Sequence, residues 1–158
     1  NQNNDMDTQY TNIFPAMNSA VTNPGTGTSG SPLKYLFFVS DGVADEQNSG
    51  CLKPKASSNR CQSPINPLLC KQLKDRGIKV AVLYTTYLDL PTNSWYNTWI
   101  KPFNAGPYDP ASVNSEIAKK MEECASPGFY FEVTPTQGIS EAMNALFQKA
   151  ISDARISN

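Results

Sequence analysis

Residues 34–46 read KYLFFVSDGVADE, an apolar run from Tyr35 to Val39 that stops abruptly at Ser40-Asp41-Gly42. A run that is apolar at every position, rather than at alternate ones, is the mark of a strand covered on both faces, as in parallel sheets. A strand is therefore expected over residues 33–39, delivering the Asp41 carboxylate at its carboxyl tip. Such an acid either closes a turn, for which Asp-Gly is a common dipeptide, or presents a ligand from a rigid base.

Working outward, helices and strands alternate. Tyr10, Ile13/Phe14, Met17 and Ala20/Val21 recur at helical spacing, so residues 7–21 are expected as a helix. Thr8 or Asp7 would cap it, and Pro15 would bend it or mark a later start. TNPGTGTSGSP, 22–32, has the composition of a flexible loop, and no Gly-Lys-Ser/Thr follows its glycines to make a phosphate site. Residues 42–65 are expected as a long loop carrying two cysteines, with Asp45 and Glu46 in a solvated acidic segment.

Asn66-Pro67 is a cap followed by proline at the first helical position, opening a helix to Arg76 with Gly77 behind it. IKVAVLY, 78–84, is a second buried strand. The connection after it runs to about two dozen residues, longer than most in compact domains. Asp109-Pro110 repeats the cap-plus-proline signal for a helix to about Cys124, and FYFEV, 129–133, is a third strand. The last helix, about 138–155, carries one apolar stripe of Ile139, Met143, Leu146, Phe147, Ala150, Ile151 and Ala154. Three strands alternating with four helices predict an α/β fold, a doubly wound, Rossmann-like parallel sheet with helices on both faces. Ligands bind such sheets beyond the carboxyl ends of the strands, where Asp41 falls. The strand at 33–39 has the composition of a central strand, so further strands are expected on its other side.

With 13 basic and 14 acidic residues among 158, the chain has no electrostatic footprint for nucleic acid or an anionic membrane. No stretch is long and apolar enough to span a bilayer. There is no histidine, which removes the Ser-His-Asp and Cys-His arrangements and His-based zinc sites from this sequence. No two acids group convincingly for catalysis, so an enzyme is not expected. Cys51, Cys61, Cys70 and Cys124 form no CxxC pair, and their wide spacing reads as two disulfides in an oxidising compartment. Four cysteines allow three pairings. The favoured one joins Cys51 to Cys61 across a Gly/Ser/Pro-rich loop and Cys70 to Cys124 between two helices, the alternative being that the latter two are buried thiols. Trp95, Tyr96 and Trp99, set among Asn and Thr, suit a sugar- or protein-binding surface, or else pin their loop to the domain.

Four stretches together carry a family likeness: KYLFFVSDGVADE, RCQSPINPLLCKQLKDRGIKVAVLYTTYLDLPTNSWYNTWI, CASPGFYFEVTP and GISEAMNALF. The sequence resembles the von Willebrand factor type A (VWA)-like domain of TadE/TadG-like proteins of the bacterial Tad (Flp) pilus-assembly system. The resemblance implies a VWA fold with a metal-ion-dependent adhesion site built from three parts. Asp41 matches the aspartate that ends the fourth strand, and Thr8 or Thr11 the threonine of the middle helix. The Asp-x-Ser-x-Ser of the first part does not occur in the chain. Residues 1–158 are therefore expected to be the C-terminal half of the domain, and the opening at Asn1 reads as a processed or truncated end with any anchor or export signal upstream.

The function implied is an extracytoplasmic adhesion or assembly module that binds a protein partner, a pilus or surface component. Mg²⁺ or Ca²⁺ would join Asp41 to that partner, and the missing N-terminal half is itself a candidate partner. The alternative is a metal-free carbohydrate- or protein-binding surface at Trp95, Tyr96 and Trp99.

Overall fold

A computed structural model describes residues 9–47, 60–104, 115–134 and 138–156. The elements in order are α1 (Tyr10–Ala20), β1 (Tyr35–Ser40), β2 (Val43–Gln47), β3 (Arg60–Pro64), α2 (Pro67–Asp75) and β4 (Lys79–Thr85). There follow α3 (Ser94–Trp99), α4 (Lys101–Asn104), α5 (Glu116–Cys124), β5 (Tyr130–Val133) and α6 (Ile139–Ile156). The fold is mixed α/β: β1, β4 and β5 make a parallel sheet with β4 in the middle, and β2 and β3 make a separate antiparallel pair.

Strand β4 explains how the layers are divided. Its side chains alternate between two cores, as the period of an extended chain requires. Val80, Val82 and Tyr84 pack with Tyr10 and Phe14 of α1, Cys70 and Leu73 of α2, and Ile117, Met121 and Cys124 of α5. Ala81 and Leu83 pack on the opposite face with Phe129, Val133 and with Leu146 and Ala150 of α6. Strand β1 is flanked in the same way. Phe38 stands edge-on to Tyr10 and Phe14, while Phe37 meets Phe147 of α6 and the Tyr35 hydroxyl donates to Asp153 at 2.7 Å. On its outer side, among the described residues, no strand pairs with β1.

The caps follow the sequence for α2, where the Asn66 side chain accepts from the Leu68 amide and Pro67 takes the first helical position. Gly77 stands at φ +85° behind it, a left-handed conformation that ends a helix cheaply only in glycine. Helix α1 runs unbroken through Pro15, so that proline does not mark a later start. The caps expected at Asp7 and Thr8, and the helix start expected at Asp109-Pro110, lie outside the described residues. The described helix α5 begins at Glu116, with Ser115 as its cap.

Four expectations are corrected. The supposed loop 42–65 contains β2 and β3, and the supposed loop after β4 contains α3 and α4, making six helices among the described residues. Segment 22–32, expected to be a flexible loop, is tied by backbone hydrogen bonds from Gly27 N to Ser31 O and from Lys34 N to Pro24 O. Finally, the stripe on α6 is not buried throughout. Leu146 and Ala150 are in the core, whereas Ile139 is exposed and Phe147 is 52% exposed above the open side of β1.

Cys70 and Cys124 stand at disulfide distance, with Cα atoms 5.1 Å apart, and tie α2 to α5. Cys61 is buried on β3. Cys51, and with it the Cys51–Cys61 pair, lies outside the described residues.

Candidate functional site

Strand β1 ends where the sequence placed its end, and the residues after it are held by local bonds. The Ser40 hydroxyl accepts from the Gly42 amide at 3.1 Å and lies 2.5 Å from the Tyr10 hydroxyl of α1. The Asp41 carboxylate accepts from the Val43 amide at 3.1 Å and from the Tyr87 hydroxyl. The turn and ligand readings of Asp41 are therefore not exclusive: Oδ1 closes a turn, yet the half-buried carboxyl still lines a cavity of about 470 Å³. Thr85, Thr86, Tyr87, Leu88, Leu90 and Ile139 complete the lining. The cavity thus opens beyond the carboxyl ends of β1 and β4, the usual ligand position in an open α/β sheet.

Electrostatics at this end is dominated by acids. Burial holds the Asp41 carboxyl above its ordinary value of 3.8, against smaller opposing pulls from the Val43 amide and the Tyr87 hydroxyl. The Tyr10 and Tyr87 phenols are likewise raised, by burial above all, with the negative field of Asp41 adding to it. Asp45 and Glu46 are not in a solvated loop. They lie on β2 at 8% and 6% exposure, and Glu46 accepts from both the Thr11 amide and the Thr11 hydroxyl, at 3.0 and 2.6 Å. That pair of bonds anchors the amino end of α1 to β2 and gives the buried acid its hydrogen-bond donors.

A pH dependence follows for Asp41. Because its folded value is raised, the native protein holds this proton to higher pH than the unfolded chain does. Stability therefore falls as pH rises from about 3.8 through the raised folded value. Asp41→Asn keeps an acceptor for the Val43 amide and removes the half-buried charge. It is expected to be more stable than the parent near neutral pH and indistinguishable from it well below 3.8, where both states are protonated. Urea denaturation at the two pH values checks this, and a variant less stable at neutrality would contradict it.

The candidate metal ligands make different contacts. Thr11 gives its hydroxyl to Glu46, Asp41 supplies one carboxylate, and Thr8 lies outside the described residues. Among the described residues no three His, Cys, Asp or Glu side chains stand together as a metal site. A hard divalent cation needs several oxygen ligands, so Asp41 and Thr11 do not by themselves fit Mg²⁺ or Ca²⁺.

The aromatic loop divides by helical phase. On α3, Tyr96 and Ile100 turn inward, Tyr96 being 2% exposed with its hydroxyl accepting from Asn104 at 3.0 Å. Asn104 in turn accepts from the Ser115 hydroxyl at 2.9 Å, so Tyr96 belongs to a buried network that also sets the cap of α5. Trp95 is 42% exposed and Trp99 half-buried, one turn apart on the outer face. The loop is pinned by Tyr96, and only the two tryptophans are placed to meet a partner.

Thr86, Leu88, Leu90 and Ile139 were not singled out by sequence reading. The signal available was position alone, directly after a buried parallel strand. The chain matches no protein-family model, no curated protein and no solved structure.

Proposed function

We propose that the chain is a non-enzymatic, extracytoplasmic binding module with the doubly wound VWA-like architecture its sequence resembles, serving adhesion or assembly in a Tad-type bacterial pilus system. A protein partner docks at the carboxyl end of the parallel sheet, with Asp41 at the centre of the contact. The observation that carries this reading is a raised, half-buried carboxylate at the tip of β1, positioned by Tyr87 and a backbone amide beside an open cavity. Keeping a charge there costs stability, a cost typical of positions retained for binding.

Three further features support it. The parallel sheet with helices packed on both faces of β4 is the core such an architecture needs. Among the described residues no strand pairs with the outer side of β1, which leaves its backbone groups and the exposed Val39 to a further strand that the resemblance assigns to the N-terminal half of the domain. The Cys70–Cys124 pair suits an oxidising compartment, and among the described residues no helix is long and apolar enough to cross a membrane.

The test is to replace the chromosomal copy by Asp41→Ala in the bacterium that makes it. Export at the normal level with loss of most assembled pili by electron microscopy is expected. Normal pili would overturn the reading.

The outward pair Trp95 and Trp99 favours a second reading, a metal-free carbohydrate- or protein-binding surface on α3. Trp95→Ala should leave the domain folded, because Tyr96 and not Trp95 sits in the core. Glycan binding that a chelator leaves intact and Trp95→Ala abolishes would establish this surface instead.

A further inference from the structure

The cavity beyond β1 and β4 is chemically two-sided. Leu88, Leu90 and Ile139 are exposed and make its rim apolar, while Asp41, Thr86 and Tyr87 make the rest polar. Thr86 is 4% exposed, and among the described residues its hydroxyl oxygen has no hydrogen-bond partner. A buried hydroxyl left without a partner is costly, so this wall favours a ligand that supplies one. Among the described residues no basic side chain lines the cavity, and the acids Asp45 and Glu46 act on the same tyrosines as Asp41 does, Asp45 on Tyr87 and Glu46 on Tyr10. What is short here is positive charge, delivered past an apolar rim.

We infer that the cavity binds an alkylammonium group, its nitrogen on the Asp41 carboxylate and its methylenes against Leu88, Leu90 and Ile139. An ammonium is a compact charge with three donors on a flexible apolar stem, which matches one carboxylate, nearby hydroxyls and an aliphatic rim. A guanidinium fits less well. Val43 and Tyr87 already hold two of the four acceptor sites of the Asp41 carboxylate, so a two-pronged contact competes with them more than the single contact of an ammonium does. At about 470 Å³ the space is within the ordinary range for small ligands. This inference rests on the docking reading above and specifies it: the partner presents a lysine side chain. A free aliphatic amine has the same chemistry.

Amide chemical shifts of the whole chain, titrated with Nα-acetyl-lysine methylamide, cadaverine, pentanediol and magnesium chloride, test it. Both amines should give saturable shifts at Thr86, Tyr87 and Leu88, and pentanediol, of the same length without charge, should give none. Asp41→Asn should weaken both amines by on the order of tenfold or more, as loss of a charged hydrogen-bond partner does. Tighter binding of the lysine amide assigns the site to a protein side chain, and tighter binding of cadaverine to a free amine. No saturable shift with either amine, equal shifts with pentanediol, or displacement of both amines by magnesium at equal concentration would overturn the inference. The wild-type comparison of amine with diol needs no variant and so does not depend on how Asp41→Asn folds. Lost pili in Asp41→Ala cells without any amine response would leave the docking reading standing and remove only this ligand.

Discussion

Replacing Cys70 and Cys124 together by serine should lower folding stability by about 4 kcal/mol, the chain-entropy value for a cross-link spanning a sequence separation of 54. Both sulfurs sit in residues with no solvent exposure, one on α2 and one on α5, against the same face of β4. The cross-link therefore joins two helices that would otherwise meet only after the long segment between them, including β4, α3 and α4, had been ordered. Serine also leaves two hydroxyls in an apolar core, which adds to the loss. Packing between α2 and α5 does not depend on the bond alone, since the Lys74 ammonium donates to the carbonyls of Glu123 and Ala125 at the end of α5. The variant is thus expected to fold and to unfold at lower urea. Urea titrations of the parent with and without reductant should show a smaller loss, since buried thiols lack the cost of the serine hydroxyls. A change under about 1 kcal/mol in both experiments would show that the bond is not what holds the helices.

Gly42→Ala is expected to cost about 2–5 kcal/mol, strain and overpacking together. Gly42 lies at φ +75°, and a methyl built there would stand 2.7 Å from Met121 Cγ and 2.8 Å from Ile117 Cγ2. Both contacts are on α5, whose inward face is fully buried, so neither side chain has free space to move into. The turn is fixed from its other side as well, because the Ile65 amide donates to the Gly42 carbonyl. The same residue thus lets the chain leave β1, start β2 and receive α5 at close range. A urea midpoint unchanged within error would contradict this account of the turn.

The legible parts of the fold were those whose signals are local. Tyr35–Val39 and Val80–Tyr84 are apolar at every position, the pattern of parallel strands covered on both faces. Strand β4 is buried as expected, whereas β1 is only half-buried, with Val39 exposed. Asn66-Pro67 and Gly77 mark α2 because capping is decided within four residues. Asp41 was legible for the same reason, being the first acid after the apolar run.

What escaped depended on partners distant in sequence. VADEQ has no strand pattern of its own, and its two acids point to solvent until Thr11, 35 residues away, supplies two donors to Glu46. RCQSP becomes a strand only by pairing with it. Tyr96 could not be told from its tryptophan neighbours by composition, since its inward role rests on Asn104 and Ser115. Residues around the cavity are brought to Asp41 by the parallel register of β1 with β4, which sets Ser40 beside Tyr84 and so places Thr85 to Tyr87 next to the acid.

The central claim is that a protein partner docks at the carboxyl end of the sheet, on Asp41. The most direct measurement places a photo-crosslinking residue at Leu90, on the cavity rim, at Trp95, on α3, and at Lys71, on α2, in the bacterium itself. The account predicts one discrete adduct from position 90 that Asp41→Ala abolishes, with none from position 71. An adduct formed from position 95 alone and indifferent to Asp41→Ala would contradict it.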